Sequence, residues 1–199
     1  LKKWEIALIC ALVFTFLCGG ALSKEQEDLS GKLIRLHVVA NSDSDEDQAL
    51  KLQVRDRIME HLTALLKGET DRGKAVKIIE SRMESIIDVS EAVLREKGNG
   101  CQVTAKITTE DFPTCAYDTF SLPAGQYTSL RVVIGAGGGR NWWCVIFPPL
   151  CMPAAAADSE AFGELTDEQI RLITSDEPEY MIKFKSIEWL KKIKAWLGL

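Results

Sequence analysis

The sequence predicts an α+β domain of two layers, in which a helix pair packs on a mainly antiparallel sheet and an amphipathic helix follows at the C-terminal end. Three observations predict it. Residues 33–40 alternate like a strand, two stretches of helical periodicity fill 45–97, and residues 102–147 read as successive strands broken by Pro and Gly. With 199 residues, 46% hydrophobic and 27% charged, the chain has the polarity of an ordinary globular protein.

The first residues stand apart. Lys2 and Lys3 precede an apolar run from Ile6 to Cys18 that only Thr15 interrupts, and Ala21-Leu22-Ser23 puts small side chains at the −3 and −1 positions of a secretory cleavage site. Residues 1–23 are expected to be a signal peptide cleaved after Ser23. The alternative is an uncleaved anchor, because residues 6–22 approach the lower limit for spanning a bilayer. Either reading exports the protein. Loss of Lys2, Lys3 and Glu5 with the leader moves the net charge from −5 to −6. An acidic exported domain lacks the basic footprint of a nucleic-acid binder, so no nucleic-acid partner is expected.

Beyond the leader, with its Cys10 and Cys18, four cysteines remain: Cys101, Cys115, Cys144 and Cys151. In an exported domain they read as two disulfides, and closeness in sequence favours Cys101–Cys115 with Cys144–Cys151. Zinc is the competing use, but no ligand pair has the usual spacing of about two to four residues. No cofactor is expected.

In residues 33–40, Ile34, Leu36 and Val38 share one face of a strand, with Arg35 and His37 on the other. Asn41, Asp43 and Asp45 are spaced like the opening of an EF-hand loop, yet Glu46 stands where that loop needs Gly and Leu52 where it needs an acid. A helix start is the better account, with Ser44 or Asp45 as cap and Asp47 or Gln48 closing a capping box. This helix runs to about Leu66 along the stripe Leu50, Val54, Ile58, Leu62, Leu65, and Lys67-Gly68 closes it. A second helix is expected from Arg72 to Lys97, burying Val76, Ile79, Met83, Ile86 and Val93, and ending at Gly98-Asn99-Gly100.

Strands are expected over 102–109 and 127–134, with breaks at Phe112-Pro113 and Leu122-Pro123-Ala124-Gly125. Gly135-Ala136-Gly137-Gly138-Gly139 is followed by strand character rather than a helix, so it reads as a hairpin connection and not as a phosphate cradle. Residues 24–152 form the expected α+β body and 153–179 an acidic, Ala-rich excursion, in which a short helix starts at Thr166 with Gln169 behind it. Residues 180–199 are expected to form a strand and a basic amphipathic helix. Ile187, Leu190 and Ile193 take one side of that helix, and Lys191, Lys192 and Lys194 the others; with Trp189 these residues are candidates for a membrane surface or a partner. Packing against its own domain is the alternative.

The residues do not assemble a catalytic motif. There are two histidines, His37 and His61, and no GxSxG, HExxH or Asp-Ser/Thr-Gly sequence. Paired carboxylates for glycoside hydrolysis remain open, since acids are abundant. The segment Asn141-Trp142-Trp143-Cys144-Val145-Ile146-Phe147-Pro148-Pro149-Leu150-Cys151 is unusual, because adjacent Trp on a strand point to opposite faces and cannot fill one core.

The residues from Leu33 to Ser44, followed by Asp47-Gln48-Ala49-Leu50-Lys51 and Val54-Arg55-Asp56, resemble the N-terminal motif of the stage II sporulation protein R family. Phe112-Pro113-Thr114, residues 122–127, Arg131-Val132-Val133-Ile134-Gly135, the Trp-Trp-Cys to Leu-Cys block and the tail around Lys183-Phe184 and Ile187-Glu188-Trp189 resemble the rest in order. Asp118-Thr119 departs from it where Gly-Asn is expected, and Cys101 and Cys115 lie outside its motifs. The resemblance implies a non-enzymatic signal of endospore formers, exported into the space between forespore and mother cell. There it would activate a membrane-embedded aspartic protease that processes pro-sigma-E. An exported hydrolase acting on cell wall is the alternative. On the signalling reading, Trp142 or Trp143 and a tip of Phe147, Pro148, Pro149 and Leu150, held in a ring by Cys144 and Cys151, are the receptor-contact candidates. The competing reading is that one Trp covers the disulfide and the prolines end an edge strand.

Overall fold

The computed structural model describes residues 27–117, 120–148, 165–166 and 169–170. They fall into two units: one takes residues from 32–110 and 127–166, the other from 1–31, 111–126 and 167–199. The fold is α+β. The elements run β1 (Ile34–Val39), α1 (Asp45–Leu65), α2 (Arg72–Ser81), α3 (Met83–Glu96), β2 (Val103–Phe112), β3 (Cys115–Ala116), β4 (Ser121–Leu122), β5 (Gly125–Ile134) and β6 (Asn141–Phe147).

The larger unit contains the main sheet, in the order β2-β5-β1-β6. β1 pairs parallel with β5, Leu36 opposite Leu130, and antiparallel with β6, Leu36 opposite Cys144. All six β1 residues are buried, as befits an inner strand covered on both faces. Ile34, Leu36 and Val38 face the helices as expected, and join Leu130, Val132, Ile134, Cys144 and Ile146 in the core. From the helices, Val54, Ile58, Leu62, Ile79, Ile86 and Leu94 meet them, each with at most 1% of its surface exposed. Burial of one such side chain contributes about 1.5–3 kcal/mol. α1 packs against α3, where Ser85 Oγ and His61 Nε2 lie 2.9 Å apart.

Ser44 caps α1, its side chain accepting from Asp47 N at 3.2 Å, and Asp45, Glu46 and Asp47 complement the positive end of the helix. Asp71 caps α2 by accepting from Lys74 N at 2.7 Å. The single helix expected over 72–97 is two. Arg82, at φ −112° and ψ 17°, closes α2 and opens α3, its N–H shared between Ile78 O and Ile79 O. Helical periodicity continues through such a one-residue break, so the sequence pattern does not register it.

Two further expectations are corrected. Gly135–Gly139 is not a hairpin, because β1 lies between β5 and β6. The connection crosses two strand spacings, about 9–10 Å, over the end of β1, where Gly138 N donates to Asn41 O and Gly139 N to Ala40 O, both at 3.0 Å. Cys101 and Cys115 are free thiols, not a disulfide. The residues between them include the ten-residue strand β2, which spans about 30 Å at ~3.3 Å per residue, whereas a disulfide needs α-carbons within about 7 Å.

In the smaller unit, β3 and β4 pair antiparallel, Cys115 opposite Leu122. Tyr117 stacks on Phe120 at 4.4 Å between centroids, and Gln169, which is helical like Ile170, donates to Asp28 Oδ2 at 2.7 Å. Among the described residues, no helix is long and apolar enough to cross a membrane. The leader, the 180–199 strand and helix, and most of the 153–179 excursion lie outside the described residues.

Candidate interaction surface

The turn after β1 and the start of α1 fold into a polar corner that holds the glycine crossover. Asp47 Oδ2 accepts from Asn41 Nδ2 at 2.9 Å and from Ser42 Oγ at 2.5 Å. These bonds, that of Ser42 first, hold its carboxyl below the usual carboxylate range. Asn41 Oδ1 accepts from Ala136 N at 3.0 Å, and Asp43 Oδ1 from Arg140 N at 2.7 Å. Gln48 Nε2 reaches Ser42 O at 2.9 Å, while Lys51 Nζ donates to Gln48 Oε1 at 2.7 Å and to Arg140 O at 3.0 Å. The run that resembled a calcium loop is thus a bracket, whose side chains fasten the start of β6 to the start of α1.

Beside this corner, β6 leads into an edge of the sheet. Trp142 stands opposite Val38, on the helix side, and Trp143 opposite His37, on the other side. Trp142 is 37% exposed, and the Arg55 guanidinium of α1 lies 4.4 Å from its ring centroid. Arg55 is itself held by Asp56 Oδ1, which accepts from Nε at 2.8 Å and from a terminal nitrogen at 2.6 Å. Lys51, one helical turn before Arg55, is 4% exposed. Burial first, then the charges of Arg140 and Arg55, push its ammonium pKa down, and Asp43 opposes them. Of these cations Arg55 meets the exposed indole, while Lys51 lies near both Arg55 and Arg140.

The face of the sheet away from the helices carries a second cluster. His37 Nδ1 lies 3.0 Å from Glu110 Oε2, and Nε2 lies 2.9 Å from Asn141 Oδ1. Arg131, opposite His37 in the parallel register, donates to the same Glu110 oxygen at 3.0 Å. Burial alone would raise the Glu110 carboxyl; the neighbouring Ser129 hydroxyl, with His37 and Arg131, outweighs it and holds it low. Arg35, fully buried, sits over the Tyr127 ring at 4.9 Å from its centroid. The cluster ties β2, β5, β1 and β6 together in a crowded site, the geometry of a structural network.

Among the residues singled out from sequence, Trp142 is exposed, Trp143 is half-buried with its ring 5.8 Å from that of His37, and Cys144, Phe147 and Pro148 are buried. Phe147 packs inward with 5% exposure, so it supports the core instead of forming a tip. Pro149, Leu150, Cys151 and the helix candidates Ile187, Trp189, Leu190, Lys191, Lys192, Ile193 and Lys194 lie outside the described residues. Sequence reasoning missed Arg55 as a neighbour of Trp142. Arg55 stood on an expected helix, but nothing local pointed it at a strand some ninety residues on. It also missed Glu110 and Asn141 beside His37; the hint was a charged, period-two face on a strand otherwise apolar enough to be internal.

Residues 30–157, which contain the main sheet, α1, α2, α3 and the polar corner, match the family described as stage II sporulation protein R. The chain belongs to that family. Stage II sporulation protein R of Bacillus subtilis (strain 168) is 31% identical over 176 residues, covering 83% of this chain and 78% of the relative. No solved structure matches the chain. Three of the motifs that carried the resemblance fall together in the larger unit: residues 33–44 are β1 and its turn, 47–56 the first turns of α1, and 131–147 the strands and crossover they bind.

Proposed function

We propose that this chain is an exported sporulation signal that activates a membrane-embedded aspartic protease and so triggers processing of pro-sigma-E. The family match over residues 30–157 carries the reading. On it, the chain is a ligand acting between forespore and mother cell, and the catalytic aspartate belongs to its partner. The geometry supports a binding role, because Asp43, Asp47, His37 and Glu110 of the two polar clusters are engaged in hydrogen bonds that fasten secondary structure. Trp142 with Arg55 supplies an exposed aromatic anchor of the kind that concentrates binding energy. Cys144 and Cys151 form a disulfide in the exported protein, and the amphipathic helix expected within residues 180–199 contributes a further contact with membrane or partner.

Membranes carrying the protease and pro-sigma-E test the function. Purified mature protein added from the outer side is expected to start processing, and membranes without it to stay silent. Unchanged processing, together with wall degradation by the protein alone, would move the assignment to a hydrolase. The Cys144→Ser, Cys151→Ser double variant is expected to signal less at equal protein level; full signalling would remove the disulfide from the mechanism.

A further inference from the structure

The geometry points to the outer edge of β2 as a pairing surface for a second copy of this chain, the two β2 strands lying antiparallel about Thr108 so that two sheets become one. This pairing goes beyond the activator reading and does not depend on it.

β2 is ten residues long and ends the sheet order β2-β5-β1-β6, so among the described residues no strand pairs with its outer edge. It contains neither Pro nor Gly, the residues that commonly break such an edge. Gly135 N donates to Gln102 O at 2.8 Å, so the end of β5 meets the start of β2 and the two run antiparallel. Gln102 thus turns its carbonyl to β5, whereas Val103 N turns away and is taken by Glu91 Oε1 at 3.1 Å. Alternation leaves the N–H and C=O of Ala105, Ile107 and Thr109 on the open edge. Val103, Ala105 and Ile107 pack toward the core, and Glu110 meets His37 on the opposite face, which Lys106 and Thr108 share with it.

Charge selects the register. A two-fold pairing centred on Lys106 would set two ammonium groups side by side, and centres on Ile107 or Thr109 leave Lys106 and Glu110 facing uncharged residues. Centred on Thr108, the pairing sets Lys106 of each copy opposite Glu110 of the other. Both contacts then fall at non-hydrogen-bonded positions, where side chains approach most closely. Lys106 is exposed, and Glu110, with its side chain 16% exposed, gives Oε2 to His37 and Arg131. Its Oε1, buried, makes no hydrogen bond among the described residues, an unmet acceptor that favours a donor arriving across the edge. Ile107, half-buried at the margin of the core, stands opposite Thr109 of the second copy, and the two exchange both N–H···O bonds.

Sedimentation velocity of the mature protein, from micromolar to millimolar concentration, tests the pairing. Wild type is expected to pass from monomer to dimer as concentration rises. Thr109→Pro removes an N–H that only the second copy would use, at a position an edge strand tolerates, and Lys106→Glu sets like charges opposite one another. Each is expected to weaken the dimer about tenfold or more while the monomer stays folded by its unfolding midpoint. Should Thr109→Pro lower that midpoint, Lys106→Glu still decides, since Lys106 is exposed. In a Cys101→Ser, Cys115→Ser background, Thr108→Cys is expected to cross-link two copies on oxidation, because the paired β-carbons stand about 4.5 Å apart; Thr104→Cys in the same background is expected not to. A protein that stays monomeric throughout, or a dimer indifferent to Thr109→Pro and Lys106→Glu, would overturn the pairing, as would cross-linking by Thr104→Cys alone. A monomer whose binding to protease-bearing membranes is lost in Thr109→Pro would give the edge to a strand of the partner instead, and so overturn the second copy as occupant. Pro-sigma-E processing, followed in parallel, reports on the activator reading separately.

Discussion

A β-carbon on Gly139 would stand 2.2 Å from Ser42 O, a backbone atom that cannot swing aside, and one on Gly135, at φ +55°, 2.3 Å from Asn41 Oδ1. These two residues lie where the crossover touches the turn after β1, so glycine is required by close approach and by backbone conformation. Gly139→Ala is expected to destabilise the fold by ~1–3 kcal/mol, whereas helical Gly31→Ala, with nothing within 4 Å, should gain about 0.5–1 kcal/mol; urea unfolding of both variants checks the contrast. Glu110 belongs to the same scale. Its folded carboxyl titrates below its unfolded value, so its contribution is present above the ordinary carboxylate range and is lost as pH falls through the folded pKa. The wild-type urea midpoint should therefore decline from about pH 5 downward, and decline less steeply in Glu110→Gln; equal slopes would mean that other carboxylates dominate.

At the scale of elements, the helix starts and faces were readable because caps and apolar stripes are local signals. Ser44 and the stripe from Leu50 to Leu62 stand where the sequence puts them. Connections were less readable. A glycine run between two apolar strands looks the same whether the strands pair or a third strand lies between them, and β1 is about a hundred residues upstream of the crossover it divides. The Cys101–Cys115 expectation failed for the same reason: closeness along the chain says little when an extended strand intervenes. Thiol alkylation of the denatured, unreduced mature protein is expected to label Cys101 and Cys115 alone, and to reach Cys144 and Cys151 only after reduction. Labelling of all four before reduction would exclude a Cys144–Cys151 bond.

At the scale of the larger unit, three helices and the main sheet share one core. Leu62, 1% exposed within it, should cost about 2–5 kcal/mol on replacement by Ala, a large share of the roughly 5–15 kcal/mol typical of a domain; thermal unfolding measures the loss, and signalling should fall with the folded fraction. The sequence by itself determined the α+β class, the helix faces, the two-faced character of Trp142-Trp143 and the family, since these depend on periodicity, residue type and motif order. Only the tertiary structure decided that β1 is central, that the Asn41–Lys51 motif brackets a glycine crossover, that Phe147 turns inward, and that Arg55 meets Trp142. Each of those facts depends on which distant segments become neighbours. That is set by the joint burial of all the apolar faces, and no local stretch of the chain contains it.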